Sequence, residues 1–150
     1  MRWMWPILFI LVSCKFEGGF QIALFLKSEV KVKCLRDALM VQFPMAKIEQ
    51  EQKEFVTTFK LDYPGAKIPS WVTPGMIYHA GAKTLVMGYN ASTKTFNKLA
   101  PEDQVVLRNA LAPITYQFDS LPEQLIAQCG LQVIDNKTGR VCSQGICRSN

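Results

Sequence analysis

The sequence predicts an α/β domain in which helices flank a mixed β-sheet. Its 150 residues are 49% hydrophobic, which suffices for one ordinary domain with a core and is not the composition of a disordered chain. Strand-length runs rich in β-branched or aromatic residues lie at Phe20–Leu26 and Lys83–Ser92. A capped amphipathic segment begins at Pro101 and predicts a helix packed against those strands.

The N-terminal residues predict export. Arg2 precedes an apolar run from Trp3 to Val12, which is too short to span a bilayer and is typical of a signal segment. The sequence Leu-Val-Ser-Cys ending at Cys14 resembles the bacterial lipoprotein box, in which the cysteine is acylated and becomes the new N-terminus. We therefore expect residues 1–14 to be an export segment, residues 15–150 to form one partial domain, and the protein to be periplasmic. A buried first strand or a gene remnant is the alternative for these residues.

Export would expose the remaining cysteines to an oxidising compartment. Cys142 and Cys147 are separated by four residues, and we expect them to form a disulfide. Zinc binding is the competing interpretation, but His79 is the only histidine and there is no second close pair of cysteines, so no metal site is expected. Cys129 is expected to be a small core residue.

The first half of the chain is predicted as strand, strand and helix. After the strand at Phe20–Leu26, the run Val30–Val41 has strand length, although it could turn helical near Leu35, and the basic stretch Lys27–Arg36 is interpreted as a solvated strand face. A helix is predicted over Met45–Phe59 because its apolar residues fall at helical spacing.

The second half is predicted as loop, strand, two helices and strand. Asp62–Gly75 holds three prolines and two glycines and is expected to be a turn-rich connection to the buried strand Lys83–Ser92. Pro101 suits the first position of a helix, which Pro113 should end or kink. Ser120 begins a capping box that predicts a second helix, stopped by Gly130 before a strand at Leu131–Ile134.

Composition argues against several classes of function. The net charge is +5, but lysines and arginines are scattered along the chain, so nucleic-acid binding is not expected. No nucleophile elbow, phosphate-binding loop or metal-ligand spacing is present, and the acidic pair Glu102 and Asp103 is explained by its place at a helix N-terminus. We therefore expect neither an enzyme nor a cofactor.

One stretch resembles a known family. A strand leads through Thr-Lys-Thr-Phe to a helix start of the form leucine, small residue, proline, glutamate, aspartate, glutamine, and a later helix ends at a glycine before an apolar strand. This order resembles the C-terminal part of solute-binding proteins of tripartite ATP-independent periplasmic (TRAP) transporters, of the dicarboxylate-receptor type. The likeness covers Trp71 to Asp135, and the residues that carry it are Phe96, Leu99, Pro101, Glu102, Asp103, Gln104, Gly130, Leu131 and Val133.

The resemblance implies a receptor that has two α/β lobes and closes on a small organic acid, with TRAP permease subunits as membrane partners. Full chains of the family are about twice this length, so the fold expected here is a partial periplasmic-binding-protein-like lobe. The Pro101 helix is expected to have an exposed apolar flank shaped for an absent lobe, while Val106, Leu107 and Leu111 stay out of open water. The family's carboxylate-binding arginine belongs to the missing region. The membrane is expected to be reached only through the signal or a lipid anchor.

Candidate ligand-binding residues follow from their crowding around the turn-rich segment and the buried strand. They are Trp71, Tyr78, His79 and Tyr89. Aromatic walls and a few polar groups are what a small-molecule cleft needs. The alternative function is a structural or interaction lipoprotein, or a decayed fragment, without ligand binding.

Overall fold

A computed structural model describes residues 19–64, 68–134, 141–143 and 146–148, apart from the side chains of 141–143. The predicted export segment and Cys14 therefore lie outside the described residues. The described part is an α/β fold with helices flanking a β-sheet, as predicted. Its sheet has seven strands, and every described ladder is antiparallel.

The strands are β1 (Phe20–Phe25), β2 (Lys47–Lys53), β3 (Val56–Asp62), β4 (Val72–His79), β5 (Thr84–Ala91), β6 (Val141–Ser143) and β7 (Ile146–Arg148). They follow the order β2-β3-β4-β5-β1-β7-β6 across the sheet. Strands β2 to β5 form a continuous meander, and β1 adds to the far side of β5.

Three helices complete the described fold: α1 (Val32–Gln42), the short α2 (Thr93–Asn97) and the 29-residue α3 (Pro101–Cys129). Helix α1 runs antiparallel to α3, because Gln42 near its end donates to the Gln117 carbonyl at 2.8 Å while Cys34 near its start reaches Cys129. No helix in the described part of the chain is both long enough and apolar enough to cross a bilayer.

The core lies between one face of the sheet and a stripe of apolar side chains on α3. Alternate residues of β1 and β5, such as Ile22, Leu24, Leu85 and Met87, are buried toward the helices, as the two-residue period of a strand requires. The stripe follows the spacing of three and four that places side chains on one helix face. Its members are Leu107, Leu111, Ile114, Phe118, Leu121 and Leu125.

Two glycines allow close approach of the backbone within the sheet. Gly75 of β4 and Gly88 of β5 lie opposite each other in the ladder. A Cβ at Gly88 would lie 1.9 Å from the Phe20 carbonyl oxygen, and the residue has a φ of +136°, so only glycine fits. A Cβ at Gly75 would lie 2.3 Å from the Phe59 carbonyl oxygen. Glycine at such strand positions marks a site where another backbone approaches closely.

A disulfide joins the two long helices. Cys34 of α1 and Cys129 at the end of α3 are bonded across a sequence separation of 95 residues. The expectation that Cys129 is a small core residue was therefore wrong: its thiol is covalently paired and half-buried. Nothing in the local sequence gives this pairing, because the two cysteines meet only when α1 and α3 pack antiparallel.

Several predicted elements are confirmed. Strand β1 occupies the predicted Phe20–Leu26 run, and β5 occupies Lys83–Ser92 within one residue at each end. Helix α3 begins at Pro101 without a side-chain cap on Ala100 and ends at Gly130, whose φ of 63° is the left-handed conformation typical of a helix stop.

Two predictions in the first half of the chain were wrong. The segment Met45–Phe59 forms the hairpin of β2 and β3 rather than a helix, with Glu54 and Phe55 as its two-residue turn. Cross-strand pairing with β4 outweighs the chance helical spacing of its apolar residues. The basic stretch Lys27–Arg36 is a connection followed by the first turns of α1, not a strand face, since Val32 already begins the helix.

The remaining departures concern the second half. Strand β4 begins at Val72, inside the predicted turn-rich connection, and contains Pro74 and Gly75. Helix α3 continues through Pro113 and Pro122, so no second helix starts at Ser120. The predicted strand Leu131–Ile134 is reduced to a single bridge between Val133 and Leu26.

Two of the three α3 residues that we expected to stay out of open water are buried, and Val106 is not. Leu107 and Leu111 are buried in the core with the side chains of the sheet. Val106 is 45% exposed and points away from that core. The core-facing side of this helix therefore has its partner within the described residues.

Candidate functional site

The four predicted ligand-binding residues do not converge on one site. Tyr78 is buried, and its hydroxyl accepts a hydrogen bond from the Val30 backbone N–H at 3.0 Å, so it closes the core beneath α1. His79 ends β4, and its Nδ1 accepts from the Ala82 N–H at 3.0 Å within the β4–β5 turn. Trp71 precedes β4, at the opposite end of the strand from His79, and packs half-buried against the core.

Tyr89 alone lies in a cavity with the features of a binding site. A cleft of about 420 Å³ opens between α3 and the β1–β5 part of the sheet. Small-molecule sites commonly measure about 300–1,000 Å³ and combine apolar walls with a few polar groups. The cleft is lined by Phe20, Tyr89, Arg108, Leu111, Ala112, Thr115, Tyr116 and Asp119.

The polar groups of this α3 cleft come from Tyr89 of β5 and from three successive turns of the helix. The Tyr89 hydroxyl lies 3.0 Å from the Thr115 hydroxyl, which also donates to the Leu111 carbonyl at 2.9 Å. The Arg108 guanidinium lies 5.4 Å from the centre of the Phe96 ring, within the range of a cation–π interaction. This contact fixes a planar, permanently charged group at one end of the cleft.

The acidic group of the cleft is bound to a cation outside its lining. The Asp119 carboxylate accepts from Arg148 Nε at 2.9 Å, and a second nitrogen of Arg148 lies 3.5 Å from Glu123. Arg148 on β7, outside the cleft lining, therefore holds the Asp119 carboxylate. Arg108 is the guanidinium within the lining, and guanidinium groups bind carboxylates well.

Tyr89 is held in its neutral form at physiological pH. Burial raises the pKa of the Tyr89 hydroxyl above its ordinary value of 10.0, and the hydrogen bond with Thr115 partly lowers it. The hydroxyl can therefore donate or accept a hydrogen bond, and it carries no negative charge that would repel an anion.

Sequence reasoning missed most of the cleft. Arg108 was not among the predicted ligand-binding residues, yet it is half-buried and packs on Phe96. A signal was present, because Arg108, Ala112, Thr115 and Asp119 recur at spacings of three and four beside the buried stripe of α3. Nothing in the sequence, however, indicated that Phe20 and Tyr89 would face this side of the helix.

A second depression lies on the opposite, helix-free face of the sheet. It measures about 280 Å³, and the backbone of Gly75 and Gly88 contributes to its lining. Lys60 is the charged side chain in its lining, and the amide of Gln21 donates to that of Asn90 across its rim. Its lining contains no arginine, which distinguishes this groove from the α3 cleft.

The remaining cysteine and metal predictions have different outcomes. Cys147 is disulfide-bonded and lies across the β6–β7 ladder from Cys142, whose side chain is outside the described part. The Cys142–Cys147 pairing stays a prediction. Among the described side chains, no group of three histidine, cysteine, aspartate or glutamate residues is arranged to hold a metal ion.

Comparison with known proteins gives no relative for the chain. Neither the protein-family models, nor the curated proteins, nor the solved structures include a match. The geometry of the α3 cleft and the sequence resemblance at Phe96–Gln104 therefore indicate the function.

Proposed function

We propose that this protein is an exported receptor that binds a small organic acid in the α3 cleft. The observation that carries the proposal is the cation of Arg108, held over Phe96 at one end of a cavity with aromatic walls. Arginine suits carboxylates because its planar fork can donate two parallel hydrogen bonds to the two oxygens. The hydroxyls of Tyr89 and Thr115 would contact polar groups elsewhere on the ligand.

The volume of the cavity suits a small mono- or dicarboxylate. A cavity of about 420 Å³ also has to accommodate any retained water, and its single lining arginine provides for one carboxylate directly. The apolar side chains of Phe20, Leu111 and Ala112 would contact the carbon skeleton. We assign binding rather than catalysis to these residues.

Export and attachment to the membrane through Cys14 belong to the same proposal. The Cys34–Cys129 disulfide supports it, because structural disulfides persist in oxidising compartments such as the periplasm and are rare in the cytosol. Transfer of the ligand to TRAP permease subunits is proposed from the resemblance at Phe96–Gln104 alone. In this fold the ligand would lie between a helix and a sheet instead of between two lobes.

A thermal-shift experiment tests ligand binding. Ligand at about 100 times its Kd adds about 2.7 kcal/mol to the free energy of unfolding, because it binds only the native state. For a chain of this size, that gain raises Tm by roughly 5–10 °C. A panel of small mono- and dicarboxylates should contain at least one compound with this effect.

Two arginine variants give the matched comparison. Arg108→Gln should abolish the thermal shift, whereas Arg36→Gln removes the same charge from α1, where Arg36 donates to Gln50, and should retain it. Circular dichroism of each ligand-free variant establishes that it is folded. Equal shifts in both variants would place the ligand elsewhere, and a flat response of the wild type across the panel would favour the structural or interaction lipoprotein.

A further inference from the structure

One edge of the sheet joins the N-terminal segment to the domain. Strands β1, β2 and β4 run in the same direction, because each is separated from the next by one antiparallel neighbour. Gly19, Met45 and Trp71, which precede these three strands, therefore lie at the same end of the strands. We call this end of the sheet the entry edge, since the chain enters the described fold there at Gly19.

Exposed apolar side chains collect at the entry edge. Met45 is 81% exposed, and Val41 and Met40 at the end of α1 are 66% and 55% exposed. Val105 and Val106 lie at the same end, because the first turn of α3 packs on α2 through Gln104, and α2 directly follows β5. Clusters of exposed large apolar residues mark interaction surfaces more often than isolated ones do.

The length of chain before Gly19 limits how far this edge can lie from a membrane. Five residue steps separate Cys14 from Gly19, so an acylated Cys14 at the bilayer surface keeps Gly19 within roughly 18 Å of it. Four strand spacings separate β1 from β2, which places Met45 roughly 19 Å along the edge from Gly19. The tether therefore keeps Gly19 close to the lipid, and Met45 comes equally close when the edge lies parallel to the bilayer.

We propose that the entry edge docks onto the bilayer itself, with Met40, Val41 and Met45 inserted at the boundary between lipid headgroups and acyl chains. This placement rests on the proposed attachment through Cys14. It adds a direct lipid contact of the domain to the expected membrane contact through the anchor. Partly buried apolar side chains bind such interfaces in proportion to the apolar area they insert.

The charges at the entry edge specify the type of lipid contact. Among the described residues at this edge, Lys47, Lys94 and Lys98 are matched in number by Asp62, Glu102 and Asp103. The described part of the edge therefore has no excess of positive charge to attract anionic lipid. We expect the same docking on neutral phosphatidylcholine vesicles as on vesicles containing anionic phosphatidylglycerol.

Methionine oxidation of the acylated full-length chain on vesicles tests the contact with native residues. Lipid insertion should slow sulfoxide formation by hydrogen peroxide at Met45 about fivefold or more relative to dissolved N-acetylmethionine amide. Val41→Glu should restore fast oxidation of Met45, because a charge at an exposed position opposes insertion. Phe55→Glu is the matched control, since Phe55 is 68% exposed at the hairpin turn at the opposite end of the strands. This variant should leave the oxidation of Met45 slow. Slow oxidation of the buried Met87 shows that each variant is folded.

Flotation of the vesicles before oxidation separates the two proposals. A chain that does not float with the vesicles refutes anchoring and edge docking together. A chain that floats while its Met45 reacts as fast as the dissolved reference refutes edge docking alone. Protection that increases with the number of protein molecules per vesicle identifies a second copy as the occupant of the edge, and this result also overturns the proposal.

Discussion

Removal of the Cys34–Cys129 disulfide should cost a large part of the stability of this domain. The bond closes a loop of 95 residues, and the loss of loop-closure entropy from the unfolded chain corresponds to about 4.7 kcal/mol at 25 °C. Measured effects of natural disulfides are usually about 2–4 kcal/mol. The Cys34→Ser, Cys129→Ser double variant should therefore unfold with a free energy lower by about 3–4 kcal/mol.

Urea denaturation followed by circular dichroism measures this difference. With an m-value of about 2 kcal/mol/M, the midpoint should fall by roughly 1.5–2 M. Addition of reductant to the double variant then isolates the contribution of the disulfide at Cys147. A midpoint lowered by less than about 0.5 M would refute the reasoning, because it would mean that the unfolded chain gains little freedom when this loop is opened.

Two further predictions concern single residues. Gly88→Ala should destabilise the domain by more than about 3 kcal/mol, because its Cβ would collide with the Phe20 carbonyl in a strained backbone conformation; Gly130→Ala, with open space around the new Cβ, should cost only about 1 kcal/mol in the same urea titration. Tyr63→Phe should stabilise the domain by about 1 kcal/mol at pH 7, because the buried Tyr63 hydroxyl has no hydrogen-bond partner among the described residues. Burial raises the pKa of Tyr63 from 10.0 to about 12, so the unfolded tyrosine ionises first and the wild type should lose stability as pH rises from 10 toward 12. Thermal melts at pH 9 and pH 11 measure this loss, and an equal loss in the phenylalanine variant would assign it to another group.

The elements predicted correctly carry local signals. Strand β5 is a short apolar run, and α3 has a proline at its first position, acidic residues in its first turn and a glycine at its end. Each signal acts through its immediate neighbours, by backbone conformation or by the helix dipole. Such elements can be read from sequence because their start and end do not depend on distant partners.

The hairpin of β2 and β3 shows why other elements could not be predicted. Six polar residues, Glu49 to Glu54, follow Ile48 and give no strand alternation. The two-residue turn contains Glu54 at a φ of 54° and Phe55 in place of the glycine or asparagine that would have marked it. The pairing of β3 with β4 decides the structure, and the sequence of the hairpin alone does not contain that information.

The continuity of α3 was a misjudged signal rather than a missing one. Its buried stripe keeps helical spacing across both prolines, from Leu111 and Ile114 to Phe118 and Leu121. Near the second proline, the Gln117 carbonyl accepts from the Ser120 hydroxyl and from Gln42 of α1. The N–H that Pro122 lacks would have bonded the Phe118 carbonyl, so these donors do not replace it, and packing of the buried stripe carries the helix across both prolines.

The candidate site depended on tertiary structure to a greater degree than the fold. Tyr89 was proposed from sequence and lines the cleft, but Arg108 acquires its role only because α2 places Phe96 beneath it. The proposed ligand class stays a prediction that the thermal-shift panel addresses, and the permease partner and the periplasmic location stay predictions.

The bond between Cys34 and Cys129 also determines what a peptidase can do to this protein. The exposed turns at residues 54–55 and 81–83 both lie between the two cysteines. One cleavage in either turn would leave two polypeptides tied through sulfur, with the strands on both sides of the cut still attached to one body. A nicked molecule would migrate as a single species on a non-reducing gel and would separate into two pieces on a reducing gel.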